Sequence, residues 1–229
     1  MAKKLTPIVT PVGELWYVNI TGQGKENYNE DGYDYVATVN LTGEAAEATK
    51  AKIEAELGEI PKDAKGNPTL IVKSRGWREL LKDADGVYTP TQKTVERDKK
   101  AEKTGIFAFT FKTGVTFEDG RTKKVAVYNK DAQKVEMGNL LIGNGSKGAI
   151  SGKMERVVRK DEVMVSLYLN AVQLTEFIPY SGDAGFETQE GGSFTAVNDA
   201  ETGFTGSVDK GAASPAAAQP DTTKAKPRL

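Results

Sequence analysis

Apolar and polar positions alternate with a period of two through much of residues 1–180, the spacing of strands that face a core on one side and solvent on the other. In Tyr33-Asp34-Tyr35-Val36-Ala37-Thr38-Val39-Asn40-Leu41 the odd positions are aromatic or apolar and the even ones largely polar. Strands are expected near Glu14–Thr21, Tyr33–Leu41, Thr69–Ser74, Gly105–Thr113, Val115–Glu118, Lys123–Asn129, Gly148–Arg159 and Glu162–Phe177. Asp119-Gly120 has the composition of a type I′ hairpin turn between two of them, and Lys160-Asp161 takes the corresponding place between the last two.

One segment breaks this period. From about Glu44 to Leu57 Ala recurs and Glu and Lys stand three or four apart, which predicts a helix with Thr42 as its N-cap and Gly58 and Pro61 as its stop. A second, short helical run is expected at Trp77–Leu81, followed by a polar, exposed excursion over Tyr88–Lys103. Curved strands, one helix between early strands and hairpins near the end predict an all-β fold with one helix, a small Greek-key barrel with insertions. An elongated two-sheet sandwich is the alternative.

After Tyr180 the composition turns to Gly, Ser, Thr, Ala, Pro and Asp without period, too little apolar surface to offset the entropy of ordering. Residues 1–180 are therefore expected to form the domain and residues 181–229 a flexible, disordered C-terminal tail. The chain carries 31 bases and 32 acids, a net charge of −1. The tail holds seven of the acids and four of the bases, leaving 27 bases against 25 acids in residues 1–180. The neutral total thus conceals a slightly basic body.

Cysteine and histidine are absent, which removes disulfides, thiolate nucleophiles, nearly every zinc site and the commonest general base near neutral pH. No cofactor is expected. No apolar run approaches a membrane span and no apolar segment follows the basic start, so the protein is expected in the cytoplasm. Three Asn-x-Ser/Thr sequons are accordingly chance matches.

Gly143-Asn144-Gly145-Ser146-Lys147-Gly148 fits the G-x-G-x-x-G spacing, but a dinucleotide site needs a helix after the glycines, where a strand is expected, and a surrounding βαβ unit. A turned loop whose backbone and Lys147 approach a phosphate is the functional version that remains. Acid pairs such as Asp83/Asp85 and Asp161/Glu162 sit in turn-like sequence and read as solvated.

Aromatic residues alternate with Lys and Arg along several strands. Single-strand binders use this combination, because rings stack on any base while cations follow the phosphates. Trp77 stands among Lys73, Arg75 and Arg78, and suits either base stacking or burial. Phe107, Phe109 and Phe111 share one face and read as core, which frees Lys112 on the other. Lys124, Ala126 and Tyr128 share a face that suits either a nucleotide or solvent. The candidate nucleic-acid contacts are Tyr33, Lys73, Arg75, Trp77, Arg78, Lys112, Lys124, Tyr128, Lys147 and Lys153.

Several pieces, in order, carry a family resemblance: Met1-Ala2-Lys3-Lys4, Thr38-Val39-Asn40-Leu41-Thr42 before the helix, Phe109-Thr110-Phe111-Lys112, Leu141-Ile142-Gly143-Asn144-Gly145-Ser146-Lys147, and Val165–Phe177 as the last strand. Through them the chain resembles the phage-type single-stranded DNA-binding proteins of tailed bacteriophages. The resemblance implies an OB-fold, a non-enzymatic protein that binds single strands with little sequence preference, and roles in DNA replication, recombination and repair in the host cytoplasm. It also implies DNA polymerase, helicase-primase or recombination proteins as partners, and a homodimer. The family's strongly acidic end is replaced here by Lys224-Ala225-Lys226-Pro227-Arg228-Leu229. The alternative class is a phage structural protein of tail or capsid, since Thr- and Gly-rich β domains also build those.

Overall fold

The computed structural model describes residues 5–27, 32–117, 119–138 and 140–180; the segment expected as a tail lies outside them. In chain order the elements are β1 (Thr6–Val9), β2 (Gly13–Asn19), β3 (Lys25–Glu26), β4 (Tyr33–Thr42), α1 (Gly43–Leu57), β5 (Ile71–Ser74), β6 (Trp77–Asp83) and β7 (Gly86–Tyr88). A 3-10 turn (Gln92–Thr94) and α2 (Val95–Asp98) lead into β8 (Glu102–Gly114), β9 (Ala126–Tyr128), β10 (Lys134–Val135), β11 (Lys147–Arg159) and β12 (Glu162–Glu176).

Five of these strands close a barrel. β2 pairs with β4 and β4 with β8, all antiparallel. β8 meets β12 in parallel, β12 runs antiparallel to β11, and β11 returns antiparallel to β2. Numbered along the barrel's own five strands, the order is 1-2-3-5-4, the Greek-key closure of an OB-fold. β1 precedes the barrel and pairs with β11; the other elements are insertions: β3 lies between the first and second barrel strands, α1 to α2 between the second and third, and β9 with β10 between the third and fourth.

The period-two pattern explains the core. Leu15 of β2, Tyr35, Ala37, Val39 and Leu41 of β4, Phe109 and Phe111 of β8, Ile150 and Met154 of β11, and Val163, Val165, Leu167 and Leu169 of β12 are all buried. α1 closes one end of the barrel with Ala46, Thr49, Ile53 and Leu57, on one helical stripe. Gly152 marks a point of tight packing, since a Cβ there would run into the Tyr168 carbonyl and the Phe111 ring, and the β11–β12 register shifts at that point.

Most of the expected strands form, with differences at two places. Trp77–Leu81 belongs to strand β6 rather than a helix: Gly76 turns the chain with φ +78°, and the long edge of β8 offers backbone groups that pair Trp77, Arg78 and Glu79 with Phe109, Ala108 and Phe107. Unpaired backbone groups outweigh a weak local helix preference. The Val115–Glu118 and Lys123–Asn129 pair shrinks to a bridge between Thr116 and Thr122, while Ala126–Tyr128 leaves to pair with β12 and β10. The turn there is not type I′: of Asp119 and Gly120 only Gly120 has positive φ, +81°, and its N–H closes a turn on the Phe117 carbonyl.

The Tyr88–Lys103 excursion is tethered. Arg97 ion-pairs with Asp83 and Asp85 and lies over the Tyr88 ring, whose hydroxyl donates to Asp98 at 2.8 Å. The Asp83/Asp85 pair sits in the β6–β7 turn as expected, with Asp85 exposed, and also anchors Arg97. Thr42 stands at the N-cap of α1 but makes no side-chain cap bond. At the other end Gly58, at φ +66°, donates its N–H to the Glu54 carbonyl.

Candidate nucleic-acid interface

In an OB-fold the outer face of the second and third strands, flanked by the loops after the first and the fourth, is the surface able to carry an oligonucleotide. Here that face belongs to β4 and β8, in the phase opposite to the core: Val36, Thr38 and Ala108 of that phase are buried, while Thr110 and Lys112 are exposed. Cross-strand register then decides what lies beside what, since neighbouring strands stand about 4.8 Å apart.

One row across the face runs Trp16, Thr38, Thr110. Thr38 and Thr110 share a hydroxyl hydrogen bond of 2.9 Å. The next row, one pleat further, runs from Val36 of β4 to Lys112 of β8, Tyr168 of β12 and Lys153 of β11. It places a lysine on each side of one ring. Both lysines are exposed, and neither has an ion-pair partner among the described residues.

Tyr168 is half-buried and fixed, because its hydroxyl donates to Glu155 at 2.6 Å. Burial, with that hydrogen bond, pushes the phenol up to about 12. The ring therefore stays neutral and oriented under ordinary conditions. Sequence reasoning left Tyr168 out of the candidate contacts, although its signal is legible: Val163, Val165, Leu167 and Leu169 define the buried phase, which puts Ser166 and Tyr168 on the outside.

The remaining candidates lie elsewhere. Tyr128, half-buried in β9, faces outward opposite Gln173 of β12, and Lys124 is exposed on the segment leading to it. Tyr33 opens β4, 41% exposed, in register with Glu26. Lys147 begins β11 and ion-pairs with Glu176 at 2.9 Å, which raises its pKa.

The Lys73–Arg78 cluster sits at the end of the barrel covered by α1, and its charges are engaged. Lys73 pairs with Glu162 and Arg75 with Glu54, both at 2.7 Å. Arg78 donates to the Pro90 carbonyl at 2.8 Å. The Trp77 ring meets Phe107 edge-on with centroids 5.5 Å apart, and Lys50 of α1 lies 4.8 Å from Trp77 and 4.0 Å from Phe107. Phe107 therefore departs from the fully buried pair Phe109 and Phe111 and serves this half-buried cluster.

The glycine-rich segment is tightly turned, but three of its amides are already used. Gly143 donates its N–H to Ile178, Gly145 to Leu15 and Ser146 to Gly143. The fully buried Ser146 hydroxyl donates to the Gly143 carbonyl and accepts from the Ile178 N–H at 3.0 Å. A phosphate cradle needs converging free N–H groups, and this loop spends those of Gly143, Gly145 and Ser146 on packing against β2 and the end of the domain.

No family model matches the chain, and no curated protein matches its sequence. Among solved structures it is similar to gp2.5, a single-stranded DNA-binding protein encoded by bacteriophage T7, at 17% identity and a TM-score of 0.45, covering 84% of this chain and all of that one. It is also similar to the single-stranded DNA-binding protein from bacteriophage Enc34 in complex with single-stranded DNA, at 13% identity and a TM-score of 0.46, covering 76% and 89% of the two chains. A C-terminal truncation of the Enc34 protein matches at 15% identity and a TM-score of 0.43, covering 76% and 88%.

Proposed function

We propose that this protein binds single-stranded DNA across the outer face of β4, β8 and β12, without catalysis and with little preference for sequence. The observation that carries the reading is the row Lys112–Tyr168–Lys153: a fixed ring with, on each side, an exposed lysine that has no ion-pair partner among the described residues. A base stacks on the ring and its flanking phosphates meet the two lysines, contacts that every nucleotide can make. Trp16, at the head of the neighbouring row, extends the same surface. The resemblance of the sequence to phage single-stranded DNA-binding proteins supports the same reading and sets it in phage DNA replication, recombination and repair inside the host cell. Residues 1–180 are the DNA-binding domain in this view, with residues 181–229 as its tail.

The test is fluorescence anisotropy with a labelled oligothymidine over a range of salt. The expected result is binding that prefers single strands to duplex and loses affinity with salt at a slope of about −0.7 per phosphate contact. Absence of binding at low salt, or equal affinity for duplex, would overturn it.

A further inference from the structure

We propose that Tyr17 is a second base-stacking residue and that Asn144, in the glycine-rich loop, is the positioning residue that presents it; this deepens the single-strand reading above and rests on it. β2 is bulged between Trp16 and Asn19, where its register with β4 shifts. Within the bulge Tyr17 adopts φ +52°, a left-handed conformation that costs a non-glycine residue of this size and persists only where its surroundings enforce it. What enforces it is visible: the Asn144 side-chain oxygen accepts the Tyr17 N–H at 2.8 Å.

The loop that carries Asn144 is itself locked on the same strand. Leu15 donates its N–H to the Ser146 carbonyl at 2.7 Å, and Gly145 donates to the Leu15 carbonyl at 3.0 Å. Gly145 turns with φ +90°. These bonds fix the height of Asn144 above β2, and with it the bulge. A bulge re-aims one side chain out of the pleat, and here the re-aimed side chain is a phenol left 64% exposed, 6.0 Å from the Trp16 ring. Trp16 heads the row Trp16–Thr38–Thr110, one pleat from Lys112. The left-handed backbone and the long-range clamp hold a large ring in solvent, where it adds nothing to the core. They are explained by a flat ligand that lands on the ring, and the neighbouring row supplies the cations for its phosphates.

Tyr17→Gly is the decisive variant, because glycine takes the positive φ without strain and so removes the ring without harming the fold. Tyr17→Ala, Tyr17→Phe, Asn144→Ala and the double variant with Tyr17→Gly complete the set, each measured for oligothymidine affinity, salt slope and melting temperature. Loss of the ring is expected to weaken binding roughly five- to 150-fold with the salt slope unchanged, since no charge is lost. Tyr17→Phe should bind within about twofold of wild type, as the stacking ring is kept. Asn144→Ala should weaken binding in the wild-type background and add nothing once Tyr17 is Gly, a coupling that a merely structural asparagine would not give. If wild type binds and Tyr17→Gly binds equally well, the role of Tyr17 is overturned while the single-strand reading stands. Additive effects of Asn144→Ala and Tyr17→Gly overturn the positioning role of Asn144. If wild type itself fails to bind, both readings fall together.

Discussion

Two regions of this barrel, one end and the outer face, contain the same residue types arranged to opposite effect. At the end covered by α1, Trp77 stands among Lys73, Arg75 and Arg78, but Glu162, Glu54 and the Pro90 carbonyl hold those cations, and Phe107 and Lys50 occupy the ring. On the outer face Lys112 and Lys153 come from strands far apart in sequence, meet on either side of Tyr168, and have no such partners among the described residues. Closeness in sequence thus built a packing cluster, and closeness in register built a surface with charge to spare. What separates a cation that can meet a phosphate from one that cannot is the carboxylate already beside it.

The comparison breaks most readily at Trp77. Trp77→Ala should cost roughly 2–3 kcal/mol of stability, less than the ~3–5 of a fully buried tryptophan because this one is half-exposed, and leave the DNA affinity of the folded protein close to wild type. Urea unfolding and anisotropy on the same variant read both quantities. A protein of unchanged stability that binds poorly would reverse the roles of the two regions.

Tyr168 gives the converse. Tyr168→Ala should weaken oligothymidine binding by about 1–3 kcal/mol, whereas Tyr168→Phe, which keeps the ring and drops the bond to Glu155, should bind within about twofold of wild type. Equal losses in both variants would move the function from the ring to the hydroxyl.

The charges sharpen the contrast further. Lys112→Ala with Lys153→Ala should reduce the magnitude of the salt slope by about 1.4, two contacts at ~0.7 each. Lys73→Ala with Arg75→Ala should leave the slope unchanged and alter stability by under about 1 kcal/mol per exposed pair. Anisotropy titrations at four or five salt concentrations suffice for both.

The smallest effect concerns pH. The Tyr168 phenol is raised in the folded state, to about 12, from an ordinary value near 10. Folding therefore favours its protonated form; the contribution is fully present below about pH 10 and is lost as pH rises toward 12. Tyr168→Phe should lose less stability over that interval than wild type, as followed by urea unfolding at stepped pH.

The barrel itself was legible. The alternation in Tyr33–Leu41, the helix after Thr42 and the two long final strands all follow from local pattern, because one-sided burial writes a period into the sequence. β6 was not, since Trp77–Leu81 becomes a strand only when the edge of β8 is there to pair with. The candidate site divides the same way. Lys112 and Lys153 were readable as outward positions, and Tyr168 was readable in the same phase. That the three form one row depends on the parallel contact of β8 with β12, which no local pattern encodes. Tyr17 was hidden for another reason: a bulge breaks the alternation that would have assigned its face.

That parallel contact has a consequence for how the barrel opens. β8 and β12 share a single registered pair, Lys112 with Tyr168, so the seam that seals the cylinder has little backbone hydrogen bonding of its own. It joins segments far apart in the chain, a closure whose loop entropy makes it late to form and early to loosen. A single strand lying over Lys112 and Tyr168 would act as a splint on this seam. Amide exchange along β8 and β12 should then slow on adding oligothymidine more than exchange in α1 does, and the melting temperature should rise with free ligand concentration as binding to the native state alone requires.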